Sequence, residues 1–236
     1  MTTTDQDLED RIQTLAQWIA EAERLVIFTG AGISTDSGLP DFRGPDGVWT
    51  RRDKGLAPRP RDRDWTATEP NEGHMAIVDL MNMGKLAFLI SQNIDNLHLK
   101  SGIPFDMLAE LHGNLARLRC VRCEKTYPKS EGVEKCECGG DLKSSVVDFG
   151  DSLPSKDLME SFEHSQKCDL FIVVGSSLVV TPAATMPRVA MEAGAKLIII
   201  NQGETPFDRV CHLRFEEGIT DVLPKAIQLL KEKIAN

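Results

Sequence analysis

A chain of 236 residues, 41% hydrophobic and 27% charged, is long enough to bury one large core or two small ones. Its longest apolar runs, such as Leu197-Ile198-Ile199-Ile200, are far too short to span a bilayer, and a net charge of −9 repels nucleic acid on average. The start, Met1-Thr2-Thr3-Thr4-Asp5, is polar and acidic with no apolar signal core, so a soluble cytoplasmic protein with no membrane partner is the expectation.

Leu8, Ile12, Leu15 and Ile19 recur at helical spacing and predict an opening amphipathic helix. Leu25-Val26-Ile27-Phe28 then reads as a buried strand that runs into Gly30-Ala31-Gly32-Ile33-Ser34. A strand entering a glycine-rich turn offers backbone N–H groups to a phosphate. The last glycine of the usual G-x-G-x-x-G dinucleotide fingerprint falls at Thr35, so a dinucleotide is expected here, held in another manner than in an ordinary dehydrogenase. Residues 38–73 are rich in Pro, Gly, Arg and Asp and have weak periodicity, which reads as a mobile lid or cofactor loop. Within it, Asp41-Phe42-Arg43 puts a carboxylate, an aromatic face and a guanidinium together; it either closes over a nicotinamide and a pyrophosphate or is a plain turn. The basic residues from Arg51 to Arg63 are interrupted by aspartates and read as a solvated loop, not a nucleic-acid site.

A helix over 74–83 and a second buried strand, Leu86 to Ile90, follow, and the strand ends in Gln92-Asn93-Ile94-Asp95. Those amides and that carboxylate suit a carboxamide or a ribose hydroxyl, or form a simple turn. A short third strand, Met107 to Leu111, ends at His112-Gly113-Asn114. The position of His112 at a strand end, with a glycine after it, favours a general base, since an imidazole titrates at roughly 6.5. His74, His98, His164 and His212 have less support and read as structural.

From about Ala116 to Asp141 the chain is charged, poor in aliphatic residues and rich in cysteine. Cys120-x-x-Cys123 and Cys136-x-Cys138 form two close pairs, which in a chain read as intracellular point to metal, not disulfides. Four thiolates close a zinc tetrahedron and leave no position for substrate, so the metal is expected to be structural. Beyond this stretch come a helix over 158–166, a buried strand Leu170 to Val174 entering Gly175-Ser176-Ser177, a helix over 186–193 stopped by Gly194, a strand Leu197 to Ile200 ending at Asn201, and a closing amphipathic helix over 222–234. Gly175-Ser176-Ser177 is a phosphate or ribose contact, or a helix cap.

Continuous apolar strands alternating with helices predict an α/β fold with a mostly parallel sheet covered on both faces. Ligands of such sheets sit beyond the carboxyl ends of the strands. The five polar turns at Gly30, Gln92, His112, Gly175 and Asn201 all fall at those ends, which predicts a single crevice lined by all five.

Taken together, Gly30-Ala31-Gly32-Ile33-Ser34, Pro40-Asp41-Phe42-Arg43-Gly44, Gln92-Asn93-Ile94-Asp95-Asn96-Leu97-His98, Leu111-His112-Gly113-Asn114, the four cysteines, Phe149-Gly150-Asp151, Gly175-Ser176-Ser177-Leu178-Val179-Val180 and Asn201 resemble the sirtuin family of NAD-dependent protein-lysine deacylases, from about Arg24 to Leu223. The resemblance implies a large Rossmann-like part (1–37, 84–115 and 150–236) and a small part made of a cofactor loop with a helical module (38–83) and a zinc ribbon (116–149). NAD and an acyl-lysine protein or peptide would meet between them. It implies His112, Asn93 and Asp95 as catalytic residues. Gly30, Ala31, Gly32, Ser34, Thr35, Asp41, Phe42 and Arg43 would hold the cofactor from one side. Gln92, Asn93, Ile94, Asp95 and His112 would line the nicotinamide and ribose pocket. Gly175, Ser176, Ser177, Asn201, Gly218 and Ile219 would hold the remainder of the dinucleotide. Val147, Phe149, Gly150 and Val179 would bind the acyl-lysine peptide, and Cys120, Cys123, Cys136 and Cys138 would hold one structural zinc. The implied reaction joins the acyl oxygen to the anomeric carbon of NAD as nicotinamide leaves. His112 then activates a ribose hydroxyl, and the products are free lysine, nicotinamide and O-acyl-ADP-ribose. Two other uses of the same cleft are a mono-ADP-ribosyltransferase and a non-catalytic NAD or ADP-ribose sensor. A monomer is the expectation.

Departures from the family pattern are small. Gly175-Ser176-Ser177 stands for the commoner Gly-Thr-Ser, and Asp151 for a frequent glutamate. The segments 109–114 and 148–154 look similar to the nuclear branch, which includes long-chain deacylases. The Tyr and Arg pair that reads succinyl-lysine in another branch is missing, since the only tyrosine, Tyr127, lies between the cysteine pairs.

Overall fold

The computed structural model describes residues 3–44, 47–57, 65–148 and 150–235. In chain order its strands are β1 (Leu25–Thr29), β2 (Leu86–Ser91), β3 (Leu108–Glu110), β4 (Arg117–Cys120), β5 (Thr126–Pro128), β6 (Leu142–Ser144), β7 (Leu170–Val174), β8 (Lys196–Ile200) and β9 (Leu213–Phe215). The helices are α1 (Thr3–Glu21), α2 (Val48–Asp53), α3 (Glu72–Asn82), α4 (Leu97–Ser101), α5 (Ser155–Lys167), α6 (Met186–Glu192) and α7 (Ile219–Ala235).

Six strands form one parallel sheet in the order β3-β2-β1-β7-β8-β9. Counted within that sheet the order is 3-2-1-4-5-6, the doubly wound Rossmann arrangement, whose switch point lies between β1 and β7. Side chains alternate across the pleat. Leu25, Ile27, Leu89, Ile172, Val174, Ile198 and Ile200 share one core with Ile12, Leu15 and Ile19 of α1, Ile77 and Leu80 of α3, and Leu223, Ile227 and Leu230 of α7. Val26, Phe28, Phe88, Ile90, Phe171, Val173, Leu197 and Ile199 share the other with Met186 and Ala190 of α6, against which Leu158 and Phe162 of α5 pack. The four central strands β1, β2, β7 and β8 thus read as apolar runs, because both their faces leave water, unlike the short edge strands β3 and β9. No helix among the described residues is long and apolar enough to cross a membrane.

Two segments between β1 and β2 bear on the sequence reading. Helix α3 lies within the segment 38–83 that the sequence reading gives to the small part, and it packs on the large sheet. Ala76, Ile77 and Leu80 are buried in the core of the large sheet, where α3 packs on α7 and β2. An amphipathic helix must cover its apolar stripe, and the open face of the sheet beside α7 supplies the cover. The expected long loop also carries structure of its own. Val48 N donates to Asp41 O and Trp49 N to Phe42 O, which seats the Asp41–Arg43 turn on the start of α2. The Phe42 and Trp49 rings lie 5.0 Å apart, and the Arg43 guanidinium stands 4.7 Å over Trp49.

The chain leaves the large sheet after His112-Gly113-Asn114 to form a three-stranded antiparallel sheet, β5-β4-β6. Its buried cluster is Cys120, Tyr127 and Cys136, with Val133 and Leu142 partly buried against it. That is too little apolar surface to hold a ribbon without a further link.

Candidate active site

The five strand-end turns converge. Gly30, Gln92, His112, Gly175 and Asn201 all line one cleft of about 1330 Å³ at the carboxyl edge of the large sheet. All of the expected cofactor residues line it, from Ala31, Gly32, Ser34 and Thr35 to Gly218 and Ile219, and so do Val147, Gly150 and Val179. Phe149 lies outside the described residues.

At the switch point the two glycine loops touch through their backbones. Gly32 N donates to Gly175 O at 2.8 Å, and Gly30 N to Val174 O at 3.0 Å. Gly175 has φ +66, and a Cβ there would lie 2.4 Å from Ile33 N, so conformation and space both demand glycine. The segment after Gly30 is not the α-helix N-terminus of an ordinary dinucleotide fingerprint. Ala31–Ser37 is a 3-10 helix ended by Gly38 at φ 84, which agrees with Thr35 standing where the third glycine is due. The two loops form a cradle of bare backbone that a Cβ on either would fill, a fit for a pyrophosphate.

Deeper in the cleft Ser34, Asn93 and Asp95 form one network. Ser34 Oγ donates to Asp95 Oδ2 at 2.7 Å and accepts from Asn93 Nδ2 at 3.2 Å, while Leu97 N donates to Asp95 Oδ1 at 2.9 Å. Asn93 N donates to Ser91 Oγ at 3.0 Å. The three side chains are buried, yet Asn93 Oδ1 has no hydrogen-bond partner. A buried acceptor left open at a cleft wall fits an amide or hydroxyl donor of a ligand.

His112 is held by one bond. Its Nδ1 lies 2.9 Å from Gln92 O, and a carbonyl only accepts, so Nδ1 carries the proton and Nε2 keeps its lone pair. Burial pushes the pKa of His112 below the usual imidazole value, against the upward pull of the Gln92 carbonyl. A neutral imidazole with a free Nε2 is the state a general base requires. Gln92 is fixed in turn by Ser176 Oγ, which donates to its Oε1 at 2.7 Å. His74 and His98 stand behind this wall with rings 5.1 Å apart, and burial pushes them down to about 3 and about 4. His98 Nε2 is 2.8 Å from Thr29 Oγ1.

The four module cysteines bring their Sγ atoms within 4.8 Å of one another. Cys120 and Cys138 are 3.6 Å apart and Cys123 and Cys136 3.5 Å, far beyond a disulfide. Zinc–sulfur bonds of about 2.3 Å in a tetrahedron require sulfurs about 3.8 Å apart, so this donor set fits a closed zinc site. The Tyr127 hydroxyl, 3.2 Å from Cys136 Sγ, pulls that thiol down to about 6 and so favours a thiolate ligand.

A family model described as the Sir2 family matches residues 59–182. The chain belongs to the Sir2 family. It is 40% identical over 242 residues to NAD-dependent protein deacetylase 1 of Bradyrhizobium diazoefficiens, covering 92% of this chain and 95% of that one. It is also 40% identical over 249 residues to NAD-dependent protein deacylase 2 of Archaeoglobus fulgidus, covering 95% and 98%. It spans about half the length of the plant relatives, such as NAD-dependent protein deacetylase SRT1 of Oryza sativa, at 38% identity. Among solved structures, a Sir2 with a p53 peptide and NAD+ matches at TM-score 0.73 and 34% identity, over 95% of this chain and 99% of that one. A structure on the mechanism and regulation of Sir2 enzymes matches at TM-score 0.78 and 39% identity, over 95% and 99%. This sirtuin therefore shares the α/β fold of those Sir2 structures.

Sequence reasoning found Phe42, Ile94, Val147, Val179 and Ile219 in the wall but missed the rest of its apolar part. Trp49, Trp65, Leu153, Leu158, Met159 and Phe162 also line the cleft. The spacing of Leu158 and Phe162 predicts helix α5, but they sit at the seam where α5 packs on the sheet and also faces the cleft. Periodicity finds a buried face; it does not say that the cover is a ligand.

Proposed function

We propose that this sirtuin is an NAD-dependent protein-lysine deacylase. His112 is the general base, Asn93 and Asp95 are the polar wall of the reacting ribose and nicotinamide, and the segments at Val147, Gly150 and Val179 border the acyl-lysine peptide. The observation that carries this reading is the convergence of a tautomer-fixed His112 with the Ser34–Asn93–Asp95 network in the cleft at the strand switch point. NAD, when bound, supplies the sugar carbon that takes the acyl oxygen and the nicotinamide that leaves. The reaction then has two parts, loss of nicotinamide and removal of a proton from a ribose hydroxyl; that hydroxyl oxygen bonds to the acyl carbon, one water adds to the same carbon, and lysine leaves as the free amine, so the acyl group passes to ADP-ribose.

The residues divide that work. The glycine loops at 30–32 and 175 accommodate the pyrophosphate, while Ser176, Ser177 and Asn201 hold the adenosine side. Asn93 Oδ1 is a buried acceptor for a cofactor donor, and Asp95, held by Ser34 and Leu97 N, keeps the wall polar and fixed where positive charge develops on the sugar. Phe42, seated on Trp49, shields that centre from water. His112 Nε2 takes the ribose hydroxyl proton. The module cysteines hold a structural zinc, with no step routed through it.

The test is mass spectrometry of the products formed from NAD and a panel of acyl-lysine peptides. Peptide-dependent nicotinamide release matched by O-acyl-ADP-ribose and free lysine is expected. Label passing from NAD to protein with the acyl group retained, or NAD binding with no turnover, would overturn the proposal.

The histidine also sets the pH dependence. Only neutral His112 accepts a proton, and its pKa is lowered, so activity rises with pH through that lowered value. The acid limb of kcat/KM is expected to centre below about 6.5, with a flat profile through neutrality. A limb centred above that value would contradict the assignment.

A further inference from the structure

The chain leaves the large sheet at His112-Gly113-Asn114 and returns from the cysteine module at Ser145-Val146-Val147. These two segments lie flush. Gly113 has φ +75, and a Cβ on it would stand 1.9 Å from Ser145 O, so only glycine allows this approach. Val147 N donates to His112 O at 3.0 Å, and Ser145 N donates just beyond the first segment to Arg117 O of β4 at 3.2 Å. Between these, the Ser145 hydroxyl stands in for a backbone unit: it accepts from Asn114 N at 3.0 Å and donates to Asn114 O at 2.8 Å.

Asn114 carries that grip onward. It is wholly buried, and its Nδ2 donates to Glu110 Oε1 at the end of β3 and to Asn96 Oδ1 in the turn after Asp95. Its Oδ1 accepts from Ala116 N at 2.8 Å. The side chain of Asn114 thus spans β3 and the turn before α4, while its main chain is held by the Ser145 hydroxyl and by Arg117 N, which donates to Asn114 O at 3.2 Å. Ser145 itself is 2% exposed and does not line the cleft, although Val146 and Val147 do.

We propose that Ser145 is a positioning residue for His112: its hydroxyl clasps the main chain of Asn114 and so fixes, from the cysteine module, where the imidazole stands. The inference rests on His112 being the base. Proton transfer requires heavy atoms within about 2.6–3.2 Å, and a misplacement of about 1 Å costs on the order of a hundredfold. Without the hydroxyl, Asn114 N–H is a buried donor with no partner, and the turn relaxes to satisfy it. Gln92 O still fixes the tautomer, so what changes is where the base stands and not which nitrogen is free.

The experiment compares two reactions of the whole zinc-loaded protein. Exchange of labelled nicotinamide into NAD, with acetyl-lysine peptide present, reports loss of nicotinamide. Formation of O-acetyl-ADP-ribose also needs the base. Ser145→Ala is expected to lower product formation about tenfold, with exchange and the KM for NAD held within about twofold, and Ser145→Thr is expected to restore it. Product formation and exchange falling by one factor in S145A, or neither falling, would overturn the proposal. His112→Ala run alongside separates the two ideas. Equal loss of both reactions in H112A removes the base assignment, whereas a split in H112A without one in S145A removes only the clasp. Should S145A fail to fold or to retain metal, Ser145→Cys, with a weaker donor of similar shape, is expected to show the same split at smaller size, and a proportional loss there overturns the proposal equally.

Discussion

His112→Ala is expected to lower product formation by about 10²–10⁴-fold, the range that general-base catalysis contributes, while the melting temperature changes little. The two parts of that expectation have separate causes. Catalysis falls because, among the described residues, no other histidine lines the cleft: His74 and His98 are buried behind the wall, and Asp95 is occupied by Ser34 and Leu97 N. Stability holds because the His112 side chain makes a single hydrogen bond, to Gln92 O, and a bond of that kind contributes about 1 kcal/mol. Gln92 keeps its place through Ser176. Nicotinamide exchange is expected to survive, since it precedes the proton transfer. Steady-state assays of both reactions beside thermal unfolding give the answer. Full product formation in the variant would remove His112 from the mechanism.

The sequence exposes this site unusually well, and the reason is physical. A doubly covered parallel sheet needs strands apolar on both faces, so Leu25–Phe28, Leu86–Ile90, Leu170–Val174 and Leu197–Ile200 stand out as runs, and whatever follows each run lies at the ligand edge. Four polar turns are located in this way and a fifth, at His112, by the short third strand, and together they define the cleft before any pairing is known. What escapes has equally definite causes. Strand β9 is three residues with Arg214 at its centre, a short edge strand whose pairing is made by β8 and not by its own pattern. Helix α3 lies next to a loop in the chain but against α7 in space, a tertiary fact that periodicity does not carry. The seat of Phe42 and Arg43 on Trp49 depends on α2, a helix of six residues too short to show a period. The link between Ser145 and Asn114 joins residues 31 apart through a serine with no motif around it. Short-range pattern reveals which groups the cleft holds; contacts between distant turns decide how firmly it holds them.

The largest stability effect is expected from the metal. One zinc per chain should be found, and Cys136→Ser should abolish its binding. The module's own core consists of Cys120, Tyr127 and Cys136 with two half-buried aliphatics, so two of its three fully buried members are proposed ligands. Structural zinc in small domains contributes on the order of 10–16 kcal/mol of apparent binding energy, far more than those few side chains supply by burial. Loss of metal should therefore melt β4, β5 and β6, and the damage should not stop there. The returning segment supplies Val147 N to His112 O and the Ser145 hydroxyl to Asn114, so a molten module releases the His112 turn as well. The large sheet has two cores of its own and should stay folded. Metal analysis, far-ultraviolet circular dichroism and hydrogen exchange on chelator-treated protein should then show exchange rising in residues 112–147 while β1, β2, β7 and β8 remain protected. Metal-free protein with an unchanged exchange pattern and full turnover would mean that the four thiols hold nothing the fold requires.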